Sequence, residues 1–298
     1  MPSPVAIDFL TVQERKKAVA FLVLTALLWS TGGLLIKWIT WHPMAIAGMR
    51  SAIAAVFLWC VLGRPHFAWS GVQLGGGCAY AASVMLFVVA TKLTTAANAI
   101  VLVYTAPIYV ALLSAWFLQE PVTRLDWLII VLVCAGMGLF FCERLSLEGW
   151  WGNICAIGGG VAFAWVVLCL RKQKSASPLE TVLLGNILAA LGGLPFMFAS
   201  LPDLTGWLAL CFSGLVQIGF AFVLYVIAIK NVSALEAMLI PAIEPILNPL
   251  WVFLFIGERP STWAMIGGAL VVLCITVRGL VMAFGTHVRL LRAETPPA

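Results

Sequence analysis

The chain has 298 residues, of which 63% are hydrophobic and only 10% are charged, and its mean hydropathy is +1.07. Soluble domains carry about 25% charged residues, so a water-soluble fold of this size could not bury this much apolar surface. The net charge of +5 is distributed over the ends of apolar segments, which excludes the basic face of a nucleic-acid-binding protein.

Ten apolar segments of membrane-spanning length follow one another along the chain. They lie at about 18–39, 43–62, 69–91, 95–118, 124–142, 149–170, 179–200, 205–229, 233–256 and 262–284. The breaks between them are short and carry Pro, Gly or charged residues, so none can hold a folded domain. The sequence predicts an all-α integral membrane protein with ten transmembrane helices and with tails at 1–17 and 285–298.

The positions of Lys and Arg predict the orientation of the chain in the membrane. If the N-terminus is cytoplasmic, 12 of these residues lie inside and 4 outside, with Arg50 within a span. Both tails are therefore predicted to be cytoplasmic. The outside set is Lys37, Lys92, Arg144 and Arg259.

An internal repeat relates the two halves of the chain. The 35 residues that begin at Leu86 share 11 identities with the segment that begins at Leu224, at a constant offset of 138 residues. Apolar helices share Leu, Val and Ala by chance, so the polar and helix-breaking matches carry more information. Those matches are Lys92 with Lys230, Pro107 with Pro245 and Glu120 with Glu258.

The repeat predicts two five-helix units, at 18–142 and 149–284. A unit with an odd number of spans must insert its second copy upside down, so the two units should be inverted relative to each other. Inverted repeats of this kind build transporters whose substrate site lies at the repeat interface near the middle of the membrane.

A set of residues recurs at loosely similar places in the two halves: Trp29, Lys37, Arg50, Pro107, Glu120 and Gly136 in the first, and Trp165, Pro245, Glu258 and Gly267 in the second. On these residues, each half resembles an EamA-type domain of the drug/metabolite transporter superfamily. The resemblance implies a transporter of small molecules, and the aromatic-rich interior most resembles the YddG-type exporters of aromatic and other amino acids in bacterial inner membranes. One departure is that the second half has no Arg where Arg50 would map, near Gly185 or Asn186.

Glu244 lies near the middle of the ninth segment, where an ionised side chain costs on the order of 3 kcal/mol. It could exchange a proton or contact a substrate ammonium. It could equally be a structural group that hydrogen-bonds to backbone freed by nearby prolines. Pro241, Pro245 and Pro249 recur every four residues and should kink or unwind the ninth helix, and Pro107 should bend the fourth.

Arg50 and a set of mid-span aromatic residues are the other candidates for substrate contact. Arg50 could bind a carboxylate bidentately, or it could pair with a helix end or extend to the outer interface. Tyr80, Ser83 and Phe87 share one helix face by their spacing. Many of the 13 tryptophans are explained by interfacial belts. The predicted substrate-binding residues are Trp29, Tyr80, Ser83, Phe87, Tyr104, Trp165, Phe220 and Glu244.

These observations favour a secondary transporter that exports aromatic or hydrophobic amino acids by alternating access. A multidrug exporter or a nucleoside or purine exporter of the same superfamily is the alternative. One carboxylate at mid-membrane is too few for an enzyme, and a channel would show a filter or rings of charge. We expect no cofactor and no metal, a small-molecule substrate, a lipid bilayer around a functional monomer, and no nucleic acid.

Overall fold

The computed structural model describes residues 4–94, 96–141, 149–198, 200–247 and 262–294, and the regular structure within these ranges is helical. The helices are α1 (Pro4–Trp29), α2 (Gly32–Trp38), α3 (Pro43–Leu62), α4 (Gly71–Leu93), α5 (Ala96–Val103), α6 (Ala106–Phe117), α7 (Arg124–Phe141), α8 (Trp150–Lys172), α9 (Pro178–Gly193), α10 (Leu204–Phe212), α11 (Ala221–Ile229), α12 (Ala234–Leu239) and α13 (Thr262–Glu294). A π-helical segment, Ser213–Phe220, joins α10 to α11, and 3₁₀ turns follow α9 and α12.

Seven helical stretches within the described residues are long and apolar enough to cross a membrane. They are Gln13–Trp38, Pro43–Leu62, Gly71–Leu93, Ala99–Phe117, Trp150–Lys172, Pro178–Phe196 and Leu204–Ile229. Of the other three predicted spans, the fifth corresponds to α7 and the tenth contains a shorter apolar stretch, Met265–Arg278, within α13. The ninth extends into 248–261, outside the described residues.

Helices that the repeat makes equivalent run in opposite directions. In the second and seventh spans, Gly48 near the start of α3 meets Gly193 at the end of α9, where an added Cβ at Gly48 would lie 2.7 Å from the Gly193 Cα. At the other end, His66 N, just after α3, donates to Glu180 Oε1 near the start of α9. These two helices are therefore antiparallel.

The fifth and tenth predicted spans show the same relationship. Asp126, at the start of α7, pairs with Arg278 of α13 at 2.9 Å between Oδ1 and Nε. Further along α7, a Cβ added at Gly136 would lie 3.0 Å from the carbonyl oxygen of Gly267, which is earlier in α13. α7 and α13 are therefore antiparallel as well.

The two halves also contact each other reciprocally. The third span packs on the sixth, where Ser83 Oγ donates to the Gly159 carbonyl. In the equivalent contact, the eighth span packs on the first, and Thr25 Oγ1 donates to the Ala221 carbonyl at 3.3 Å. The core is built across this interface, because Ala18, Leu22 and Trp29 of α1 belong to one cluster with Tyr225 of α11.

Candidate functional site

A central cavity lies at the interface between the two halves. Its volume is about 100 Å³, several times the roughly 10–15 Å³ that one water needs. The first half contributes Trp29, Arg50, Tyr80, Ser83, Val84, Phe87, Ile100, Val103 and Tyr104, and the second contributes Phe163, Gln217, Ile218, Phe222, Met238 and Glu244. The wall is predominantly apolar, with an arginine and a glutamate among its few polar groups.

The fourth and ninth spans are interrupted where they meet the cavity. α5 ends at Val103 and α6 begins at Ala106, with Pro107 in its first turn. α12 gives way at Ile240 to a 3₁₀ turn that contains Pro241. Proline removes a backbone donor and disfavours the helical conformation of the residue before it, which explains why both helices break beside a proline.

Tyr104 connects these two breaks across the interface between the halves. Its hydroxyl lies 2.6 Å from Glu244 Oε2 and 2.9 Å from the Pro241 carbonyl oxygen. The Pro241 carbonyl also accepts from the backbone N–H of Glu244 at the end of the 3₁₀ turn. A single phenol hydroxyl therefore bridges the loosened backbone of the ninth span and the carboxyl group beside it.

A second break lies in the first span. α1 ends at Trp29 and α2 begins at Gly32. The carbonyl of Trp29 accepts a hydrogen bond from Gln217 Nε2 at 3.4 Å, and Gln217 Oε1 accepts one from Ser213 Oγ at 2.7 Å. Gln217 belongs to the π-helical segment, and π-helical turns are frequent at functional sites. At both breaks, a side chain of one half bonds a backbone carbonyl of the other.

Arg50 is buried in the wall of the cavity on α3, with 4% of its surface exposed. Within the described residues, its Nε and Nη1 atoms have no hydrogen-bond partner. A guanidinium is charged at any physiological pH and carries five donors, so leaving it unpaired in a low-dielectric site is costly. This arginine requires either water or an anion in the cavity.

Aromatic rings form one side of the cavity and continue into the core. Trp29 lies 5.1 Å from Phe222, 5.3 Å from Tyr225 and 5.7 Å from Phe163 between ring centroids. Tyr80 meets Phe222 edge to face at 4.9 Å. Rings in such contact hold one another in place, so the cavity presents a fixed aromatic surface to a ligand.

Six of the eight predicted substrate-binding residues line this cavity, namely Trp29, Tyr80, Ser83, Phe87, Tyr104 and Glu244. The other two are not among the residues that line it. Trp165 packs against Phe117, with ring centroids 5.1 Å apart, and Phe220 is 43% exposed. Residues two apart on a helix point in nearly opposite directions, and it is Phe163 and Phe222 that face the cavity.

Sequence reasoning missed Phe163, Gln217 and Phe222 for an identifiable reason. The π-helical segment ends at Phe220, and its wider turn shifts the helical phase that a period of 3.6 assumes. In the sixth span, the sequence indicated Trp165 as the counterpart of Trp29. The residue whose ring contacts Trp29 is instead Phe163, two positions before Trp165. Of the predicted helix-breaking residues, Pro107, Pro241 and Pro245 are described, whereas Pro249 lies outside the described residues.

One end of the helix bundle is closed by an ion-pair cluster of Arg15, Asp126, Glu236 and Arg278. Arg15 Nη2 lies 2.6 Å from Glu236 Oε1, and Arg278 lies 2.9 Å from Asp126 and 3.6 Å from Glu236. Glu236 also completes a capping box with Ser233 at the start of α12. Tyr225 Oη, from the aromatic core, donates to the carbonyl of Ala237, the residue after Glu236.

Comparisons with known proteins agree with this architecture. The model of the EamA-like transporter family matches residues 16–142 and 150–278, one match for each half. An uncharacterized transporter of Archaeoglobus fulgidus is 27% identical over 257 residues, covering 85% of this chain and 92% of the relative. The uncharacterized transporter YwfM of Bacillus subtilis is 24% identical over 276 residues, covering 86% and 92%.

A solved crystal structure shares the fold with a TM-score of 0.76 and 22% identity, over 90% of this chain and 98% of that one. The fold and the cavity between two related halves define a multi-pass membrane protein built from a duplicated helical unit. The chain belongs to the EamA-like transporter family.

Proposed function

We propose that the protein is a secondary transporter that exports aromatic or hydrophobic amino acids, or closely related metabolites, by alternating access. In this proposal the chain crosses the inner membrane of a bacterium ten times, with both termini in the cytoplasm, and works as a monomer without a cofactor. Family membership supports transport of a small molecule, and the properties of the cavity support the substrate class.

The observation that carries the proposal is that interrupted helices from both halves converge on one cavity. Breaks in the first and fourth spans face the second half, and the break in the ninth span faces the first. Irregular backbone at membrane depth is tolerated where it lines a cavity or is buried in protein. Discontinuous helices at a repeat interface are also where secondary transporters bind substrate.

The interface between the halves is suited to a rocking motion. Gly48 and Gly193 bring α3 and α9 into backbone contact, and smooth surfaces of this kind let helices tilt against each other. The antiparallel course of the equivalent helices supports an inverted repeat. Exchanging the conformations of two inverted halves would move the opening of the cavity from one side of the membrane to the other.

The chemistry of the wall favours amino acids over the alternatives. Aromatic rings provide a surface for an apolar side chain, while Arg50 and Glu244 offer one group of each sign to a zwitterion. A multidrug exporter or a nucleoside exporter of the same superfamily remains the second candidate. The wall supports it less, because neither a lipophilic cation nor a neutral nucleoside would satisfy the buried guanidinium.

Counterflow in proteoliposomes tests the proposal. Vesicles loaded with unlabelled L-phenylalanine should transiently accumulate external labelled L-phenylalanine above its equilibrium level, because a carrier exchanges solute faster than it dissipates the gradient. Control vesicles without protein should show no overshoot. Uptake that equilibrates without an overshoot would indicate a channel, and an overshoot with uridine but with no amino acid would favour the alternative substrate class.

A further inference from the structure

We propose that Arg50 binds the carboxylate of the substrate, and that the transported solutes are apolar α-amino acids recognised through that carboxylate. The inference rests on the proposed function and makes it more specific, because it assigns substrate selection to one residue. The feature that carries it is a buried guanidinium in the cavity wall with two nitrogen atoms that no protein group satisfies.

The first step of the argument concerns the alternatives for pairing Arg50 within the protein. Among the described residues, the acidic groups that form ion pairs have other partners: Glu120 pairs with Arg171, while Asp126 and Glu236 belong to the ion-pair cluster. Glu244 lines the same cavity, yet its hydrogen bond is to Tyr104 and it forms no ion pair with Arg50 within the described part of the chain. The charge of Arg50 is therefore left for a ligand.

The second step concerns geometry. A carboxylate pairs with a guanidinium along one of two planar edges, either Nε with Nη2 or Nη1 with Nη2. Each edge of the Arg50 guanidinium contains one of the two atoms without partners, Nε and Nη1. A carboxylate that enters the cavity can use donors that nothing else occupies, and its charge is worth more in an apolar cavity than in water.

The third step concerns the rest of the solute. The Tyr104 hydroxyl lies within hydrogen-bond distance of both Glu244 and the Pro241 carbonyl, and its single proton leaves acceptor capacity on the Glu244 carboxyl group. Glu244 lines the cavity and forms its acceptor side. An ammonium has three donors and suits this side, whereas Trp29, Phe163 and Phe222 provide an apolar surface for a side chain. The cavity thus supplies one complementary feature for each part of an apolar amino acid.

The site has no duplicate in the second half of the chain. The residue that corresponds to Arg50 in the repeat falls near Asn186, which is fully buried and donates from Nδ2 to the Val182 carbonyl. Within the described residues, the interface therefore offers one buried arginine to a carboxylate. A solute with two carboxylates would place its second negative charge beside Glu244 or against the aromatic wall, and we expect it to be rejected.

The test uses the purified full-length protein in detergent, with thermal stabilisation as the measure of binding. The probes are L-phenylalanine, L-leucine and L-methionine, each compared with the amine that lacks its carboxylate, such as phenethylamine for phenylalanine. We expect at least one acid to bind about 10- to 100-fold more tightly than its amine, the effect of losing hydrogen bonds between charged groups. This comparison uses the unmodified protein, so it does not depend on how any variant folds.

The variants give the second measurement. Arg50→Met should lower the affinity for the acid to that of the amine, and Arg50→Lys should recover only part of it because a lysine cannot form the bidentate pair. Arg64→Met is the matched control, since Arg64 follows the same helix but is exposed. It should bind like the unmodified protein.

The result that would overturn the inference is equal binding of acid and amine, unchanged binding by Arg50→Met, or failure of all three acids to bind. Counterflow separates these outcomes from failure of the proposed function. An overshoot with a solute that lacks a carboxylate would support the proposed transport function and contradict the role of Arg50 in substrate selection. Absence of any overshoot, with the acid still bound through Arg50, would contradict the transport function and support the carboxylate site.

Discussion

Tyr104 and Glu244 join the two halves of the protein across the central cavity, with the phenol hydroxyl 2.6 Å from Glu244 Oε2. The same hydroxyl reaches the Pro241 carbonyl. Any motion that separates the fourth span from the ninth must break these bonds or carry both groups together. A change in the protonation of Glu244 would alter this junction, which makes it a place where transport could respond to pH.

The first prediction concerns that response. A carboxyl group in a low-dielectric cavity can be neutral or charged according to what fills the cavity, so Glu244 can exchange a proton when the opening changes sides. Glu244→Gln keeps the size of the side chain but cannot titrate. Counterflow by this variant should lose its dependence on pH, while its unfolding temperature stays close to that of the unmodified protein.

Tyr104→Phe is the control for this experiment, because it removes the hydrogen bond and leaves the carboxyl group. It should keep a pH dependence, although its midpoint can move. Identical pH profiles for Glu244→Gln and the unmodified protein would show that Glu244 has only a structural role, tying down the backbone of the ninth span.

A second prediction separates two neighbouring aromatic residues. Phe222 is 6% exposed and lines the cavity, whereas Phe220 is 43% exposed and faces away. Phe222→Ala should weaken the apparent affinity for L-phenylalanine about 3- to 10-fold, the usual contribution of an aromatic contact. Phe220→Ala should leave it unchanged. Equal losses in the two variants, measured by concentration-dependent counterflow, would contradict the orientation of this helix.

A third prediction concerns the contact between α3 and α9. A Cβ added at Gly193 would lie 2.5 Å from the Gly48 Cα, and neither backbone can move aside easily. Gly193→Ala should therefore destabilise the protein by about 1–3 kcal/mol, the usual cost of overpacking. Gly138→Ala is the matched control, because a Cβ there meets nothing within 4 Å. Thermal unfolding in detergent measures both, and equal unfolding temperatures would refute the close approach.

The ion-pair cluster provides a fourth prediction. Asp126 and Arg278 are both about 5% exposed, so removing one charge leaves the other buried. Asp126→Asn leaves Arg278 with the more distant Glu236, at 3.6 Å, as its partner, so the variant should cost about 1–3 kcal/mol. Combining it with Arg278→Gln should recover part of that loss. A double variant that is no more stable than Asp126→Asn alone, measured by thermal unfolding in detergent, would contradict this interpretation of the pair.

Much of the helical layout could be predicted from the sequence, because long apolar segments and their breaks are set by local composition. The repeat was visible in the register of Lys92, Pro107 and Glu120 with residues 138 positions later. Of the ten predicted spans, seven correspond to long apolar helices within the described ranges. The ninth predicted span lies only partly within these ranges.

The cavity was predictable only in part. Mid-span Tyr104 and Glu244 were identifiable because polar groups at membrane depth need partners. Gln217 could not be identified from the sequence. Its contact depends on a π-helical segment and on the break after Trp29, and neither has a clear sequence signal. The role of Arg50 could not be assigned from the sequence, because the partners of a buried guanidinium depend on tertiary contacts, and two of its nitrogen atoms have no partner in the cavity wall.

The measurement that tests the account most directly is the accessibility of Ser83 from each side of the membrane. Ser83 lines the cavity on α4. With Ser83→Cys as the sole cysteine, a membrane-impermeant thiol reagent should label the protein from either side of oriented vesicles, and L-phenylalanine should slow labelling from both. Labelling from one side only under all conditions, or labelling that L-phenylalanine does not slow, would contradict alternating access to a substrate site in this cavity.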